Sequence, residues 1–144
     1  MMKKSVSLPV IILFSALLAT FSCKKDEPVD KLLLGKWKVQ SVTVIYYENN
    51  VKIWEQTLYS IEPELIFQFS DGGTGTIYED NEVKGAFTWQ LKGDKLALDM
   101  GVDDKPEWKI SIDKNTFVWS FEEYETTNKV LQKLEYIYTA TKIS

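Results

Sequence analysis

Two runs of carboxylates are the side chains most capable of chemistry in this sequence: Asp99, Asp103, Asp104 and Glu107 along one stretch, and Glu122, Glu123 and Glu125 along another. A carboxylate pair can hydrolyse a glycosidic bond, one member acting as acid and the other as base or nucleophile. Carboxylate oxygens clustered as in Asp99–Glu107 could also hold calcium, but the run has no recognisable calcium-loop spacing, and charges at strand ends are usually solvated. The chain has no histidine, so the usual general base near neutral pH and the commonest transition-metal ligand are both missing. A Ser-His-Asp or Cys-His site is excluded, and so is a histidine-built zinc site. The expectation is a protein that binds and does not catalyse, with no cofactor and no metal.

What is abundant instead is aromatic: five Trp, seven Tyr and seven Phe. Such residues fill cores and favour strands, and they also line apolar pockets. Their spacing is that of strands. Leu65, Phe67 and Phe69 recur at every second position, as do Phe87, Trp89 and Leu91, then Trp108 and Ile110, then Phe117, Trp119 and Phe121, and finally Leu134, Tyr136 and Tyr138, with the intervening residues facing the other way. Turn residues separate these segments: Asn49-Asn50, Asp71-Gly72-Gly73, Asp80-Asn81, Lys92-Gly93-Asp94, Asp113-Lys114-Asn115 and Thr126-Thr127-Asn128. In the first strand Trp37 and Val39 run one step out of phase with Val42, Val44 and Tyr46, which predicts a bulge near Ser41. No amphipathic helix is evident. Eight or nine short strands in meander order predict an all-β, antiparallel up-and-down barrel over residues 33–144, because closure removes the exposed edges of so long a sheet.

The N-terminus has a different character. Lys3-Lys4 precede an uncharged stretch from Ser5 to Ser22 whose apolar core, Val10 to Ala19, is short for a spanning helix. This is the layout of a secretory signal peptide, and Thr20-Phe21-Ser22-Cys23 resembles a bacterial lipobox. The expectation is cleavage after residue 22 and lipidation of Cys23, the only cysteine; acyl chains then tether the domain to a membrane. Residues 23–32 are the lipidated terminus and a linker. The run Lys24-Lys25-Asp26-Glu27 resembles the surface-export signal of lipoproteins from Bacteroidetes-type bacteria, and serves equally as a solvated spacer. An outer-membrane location is expected, with the cell surface favoured. Without the leader, 15 basic residues face 21 acidic ones, a net charge of −6. With no arginine to fork onto phosphate and an acidic surface to repel it, no nucleic-acid partner is expected. A monomer is expected.

The opening Leu33-Leu34-Gly35-Lys36-Trp37 resembles the Gly-x-Trp start of lipocalins, and Leu65–Thr76 with its Asp71-Gly72-Gly73 turn resembles the next hairpin of bacterial lipocalin-like lipoprotein domains. Phe87-Thr88-Trp89, Trp108-Lys109-Ile110 and Tyr136-Ile137-Tyr138 are similar to later strands of that family. The resemblance implies that Gly35 lets the chain enter the barrel closely and that Trp37 plugs its closed end. Lys142 stands where lipocalins place an arginine across that tryptophan. It also implies a small apolar ligand, for which Phe67, Phe69, Trp89, Trp108, Trp119 and Tyr136 are the candidate contacts. The inward set is bulky enough to fill a small barrel outright. In that case the domain is instead a surface glycan- or protein-binding module, with Trp54 and one of Tyr46 and Tyr47 as exposed aromatics.

Overall fold

The computed structural model describes residues 27–144 apart from Asp104. The leader and Cys23 lie outside the described residues. A one-turn helix, α1 (Val29–Leu33), leads into nine strands: β1 (Gly35–Glu48), β2 (Val51–Leu58), β3 (Leu65–Ser70), β4 (Thr74–Glu79), β5 (Glu82–Lys92), β6 (Lys95–Asp99), β7 (Glu107–Ile112), β8 (Thr116–Thr127) and β9 (Val130–Lys142). All neighbours are antiparallel, in the order β2-β1-β3-β4-β5-β6-β7-β8-β9, and β1 also pairs with β9. Eight strands therefore close into a barrel, and β2 stays outside the closure.

The length of β1 explains the odd strand. Its first residues, Gly35 to Lys38, pair with Phe69 to Ile66 of β3, whereas Val42 to Glu48 pair with β2. Its other edge is covered by β9 almost throughout. On the far side, β8 pairs with β7 only through Phe117 to Ser120, while its partnership with β9 continues to Thr127. The outer halves of β8, β9 and β1, together with β2, thus run past the barrel rim as a four-stranded flap. The inward face of the barrel continues onto the flap. In register across it lie Phe121, Tyr136 and Val44 in one row, then Glu123, Leu134, Tyr46 and Trp54 in the next.

Local chemistry fixes these registers. The bulge expected near Ser41 is present, with the β1–β9 register shifting between Val39 and Ser41. Asn49-Asn50 and Asp80-Asn81 are two-residue turns with both φ values positive, the geometry whose twist suits a hairpin and which Asn and Asp tolerate well. The last hairpin differs from expectation: β8 runs on through Thr127, and the turn is Asn128-Lys129, again with positive φ at both residues.

The closed end is built by α1 and the last residues of the chain. The expected linker thus contains an ordered turn of helix, whose Leu33 is fully buried and accepts a hydrogen bond from the indole Nε1 of Trp37 at 2.8 Å. The Lys142 ammonium lies 5.5 Å from the centre of the Trp37 ring. Gly35, at φ +121°, sits so close to Ser144 and Lys142 that a Cβ would collide with the Ser144 carbonyl oxygen. Above this plug the barrel is filled by Phe69, Phe87, Leu96, Leu98, Phe117 and their neighbours. The interior of the lower barrel is therefore a solid core.

Candidate functional site

An aromatic-lined space opens where the barrel meets the flap. An open cleft of about 440 Å³ lies between β3, β7, β8 and β9, with walls from Leu65, Phe67, Pro106, Trp108, Phe121 and Tyr138 and a floor on Trp119. Its walls are held by aromatic contacts. Trp119 stacks between Trp108 and Tyr138, with ring centres 5.1 Å away on each side, and Phe67 meets both indoles edge-on at 5.7 and 5.4 Å. Phe121 continues the stack to Tyr136 at 5.0 Å. The filled core supports the floor from below, since Phe117 packs 4.8 Å from Trp119 and 5.5 Å from Trp37. The floor is consequently already covered by its neighbours, with Trp119 only 1% exposed, and the apolar surface left open to a ligand comes mainly from the half-buried Leu65, Phe121 and Tyr138.

Polar groups are sparse and one-signed. Glu107, Glu122 and Glu123 complete the lining. Glu107 lies 3.6 Å from Lys95 and Glu122 lies 3.8 Å from Lys133. Glu123 accepts a hydrogen bond from the Tyr136 hydroxyl at 3.3 Å. Both cleft phenols are harder to ionise than an ordinary tyrosine, Tyr138 because of its burial and then the nearby Glu123 charge, Tyr136 for the same two reasons and its bond to Glu123.

The six candidate contacts divide. Phe67, Trp108 and Trp119 line the cleft together, and Tyr136 flanks it through Phe121. Phe69 does not reach it: only 1% exposed, it is sealed among Phe87, Phe117 and Trp89 in the lower core. Trp89 also lies elsewhere, donating its indole N–H to the Thr74 carbonyl at 2.9 Å and bordering a separate surface hollow with Thr88, Gln90 and Lys105. Leu65, Pro106 and Glu123 line the cleft without having been named as ligand contacts, Glu123 having been noted only as one of a run of carboxylates. The sequence signal for Glu123 was its place two residues beyond Phe121, which itself follows Trp119, on one alternating face.

Of the carboxylate run around the β6–β7 loop, Asp99 is used structurally. Asp99 accepts a hydrogen bond from the Gly101 N–H and lies 3.2 Å from Lys105, and these contacts hold its carboxyl below the usual range. Among the described residues no three acidic, histidine or cysteine side chains converge as a metal site would require. Of the aromatics expected at the surface, Trp54 is exposed and pairs across strands with Tyr46 at 5.9 Å on the flap's inner face, whereas Tyr46 and Tyr47 are both half-buried by their strand neighbours. Tyr47 points to the opposite face, under the Lys133 ammonium at 4.0 Å.

A closed antiparallel barrel with one end plugged by a helix and tryptophan, and the other open to an aromatic cleft, defines a lipocalin-like fold. Residues 33–119 match the lipocalin-like domain family, and the chain belongs to it. The matched stretch runs from the end of α1 to the middle of β8; β9, which closes the barrel against β1, lies beyond it. No curated protein and no solved structure matches the sequence.

Proposed function

We propose that this protein is a lipid-anchored, extracytoplasmic binding domain that takes a small ligand with an apolar body into the cleft at its open end. The observation that carries the reading is the cleft itself. Its aromatic walls are already packed against one another, so a ligand would bury apolar surface there without first ordering the site. A volume of about 440 Å³ lies within the usual range for small-molecule sites. Because the lower barrel is full, the ligand sits at the rim and against the flap, not in a central cavity. Catalysis is not part of the proposal: Glu107 and Glu122 are ion-paired with lysines, and Glu123 is hydrogen-bonded to a phenol that is itself harder to ionise than usual.

Anchoring rests on the leader and on Cys23. Cys23→Ser should abolish acyl labelling and leave unprocessed precursor; membrane attachment and normal processing in that variant would overturn the anchor. For ligand binding, native mass spectrometry of residues 27–144 purified without detergent is the direct test. An adduct removed by organic extraction and lost in Leu65→Trp, which fills the cleft, supports the reading. An adduct indifferent to that substitution places binding elsewhere. A second reading, recognition of a surface glycan or protein, is favoured by the Tyr46–Trp54 pair, because Trp54 is 44% exposed at the outermost strand. Binding that survives Leu65→Trp but is lost in Trp54→Ala would select it.

A further inference from the structure

We propose that the cleft prefers a ligand whose apolar body carries a positively charged head over one with a carboxylate head, and that Glu123 is the residue setting this preference; the inference rests on the small-ligand reading above. The lining holds three carboxylates and no lysine. Two of the three are partly answered, Glu107 by Lys95 and Glu122 by Lys133. Glu123 has no lysine within ion-pair distance among the described residues. Its only hydrogen-bond donor among them is the neutral Tyr136 hydroxyl.

Its placement makes this charge count. Glu123 is opposite Leu134 in the sheet, one row above Phe121 and Tyr136, so it sits on the inner face at the point where the aromatic stack passes onto the flap. A ligand with its apolar end on Trp119 and its head toward the flap brings that head to Glu123. An ammonium there gains an ion pair and lies among the rings of Tyr136 and Phe121, whose π faces also attract cations. A carboxylate head meets a like charge with no cation lining the cleft to offset it. Glu123 already shapes the field inside the cleft, since its charge disfavours ionisation of both Tyr136 and Tyr138. The surrounding domain adds to this bias through its net negative charge, in a salt-dependent way.

The test uses three probes of equal chain length, decylamine (protonated at neutral pH), decanol and decanoate, each kept below micelle formation. They are titrated into residues 27–144 at pH 7 and low salt, with binding read by calorimetry and by tryptophan fluorescence. Decylammonium is expected to bind at least about tenfold more tightly than decanoate, with decanol between them, since an exposed ion pair and a cation–π contact together reach roughly that factor. Glu123→Gln keeps size and hydrogen bonding but removes the charge, and should reduce the preference of decylammonium over decanoate to less than about threefold. Decanoate binding as well as decylammonium overturns the inference and leaves the small-ligand reading intact. An undiminished preference in Glu123→Gln overturns the role of Glu123. Failure of all three probes to bind overturns the small-ligand reading and the inference with it.

Discussion

Gly75 offers a sharp test of how tightly the core beneath the cleft is packed. It lies in β4 directly between Phe69 of β3 and Phe87 of β5, and a Cβ placed on it would collide with the outer carbons of the Phe87 ring. Gly75→Ala must therefore displace that ring. The ring has little room to yield, with Phe69 at 5.3 Å and Phe67, part of the cleft wall, at 6.3 Å. Forcing an extra methyl into a packed core costs about 1–3 kcal/mol, and replacing a strand glycine by alanine returns roughly 0.5–1 kcal/mol. The net loss of about 1–2 kcal/mol should lower Tm by about 4–8 °C in a domain of roughly 120 residues. Differential scanning calorimetry of Gly75→Ala, Phe87→Leu and the double variant isolates the contact. Leucine is too short to cover the glycine, so alanine should cost little in that background, and the two substitutions should couple by about 1 kcal/mol or more. A Tm for Gly75→Ala within about a degree of the parent, or the same loss in both backgrounds, refutes the argument.

Three further outcomes follow from single side chains. Lys129 occupies the second position of the β8–β9 turn at φ +66°, where a side chain is strained; Lys129→Gly should raise stability by about 0.5–1 kcal/mol in urea unfolding. Lys142→Ala, which removes the cation and stem over Trp37, should lower the urea midpoint by an amount equivalent to about 0.5–1 kcal/mol. Lys142→Arg, whose planar guanidinium stacks better, should not lower it. Tyr138 has its pKa raised, first by burial and then by Glu123. The stability this phenol contributes is complete below the unfolded tyrosine pKa of about 10 and is lost as pH rises from there through the higher folded value. Thermal unfolding between pH 9 and 11 should accordingly show a steeper loss for the parent than for Tyr138→Phe.

Much of the barrel is legible in the sequence because period-two alternation and turn chemistry are local. The phase slip between Val39 and Val42 marks the bulge, and Asn49-Asn50 and Asp80-Asn81 mark two of the tight turns. The elements that escape are those whose stability is tertiary. A five-residue helix at Val29–Leu33 has too few turns to hold itself together; it is held because Leu33 is buried and receives the Trp37 indole N–H. The exclusion of β2 from the closure was equally hidden, since it depends on β1 dividing one edge between two partners. An alternating pattern reports which face is buried and is silent on which strand lies beside it.

The candidate site shows the same boundary between local and tertiary information. Alternation places Phe67, Phe69, Trp108 and Trp119 on the inward face, and all four are there. What it cannot give is height along the barrel axis, and height decides which residues reach the cleft. Phe69 lies opposite Gly35 at the plugged end, whereas Phe67, two residues earlier, lies opposite Trp37 and reaches the cleft. Because β8 and β9 outrun β7, the inward face does not end at the rim but continues as an open wall, and the residues there trade bulk for charge: Trp119, then Phe121, then Glu123. A barrel whose lower half is solid can still bind, provided its longest strands carry the apolar face into solvent and supply a polar group at the top. Glu123 is therefore best understood as the far end of the same alternating row that fills the core, and its charge as the feature that distinguishes this cleft from a purely apolar one.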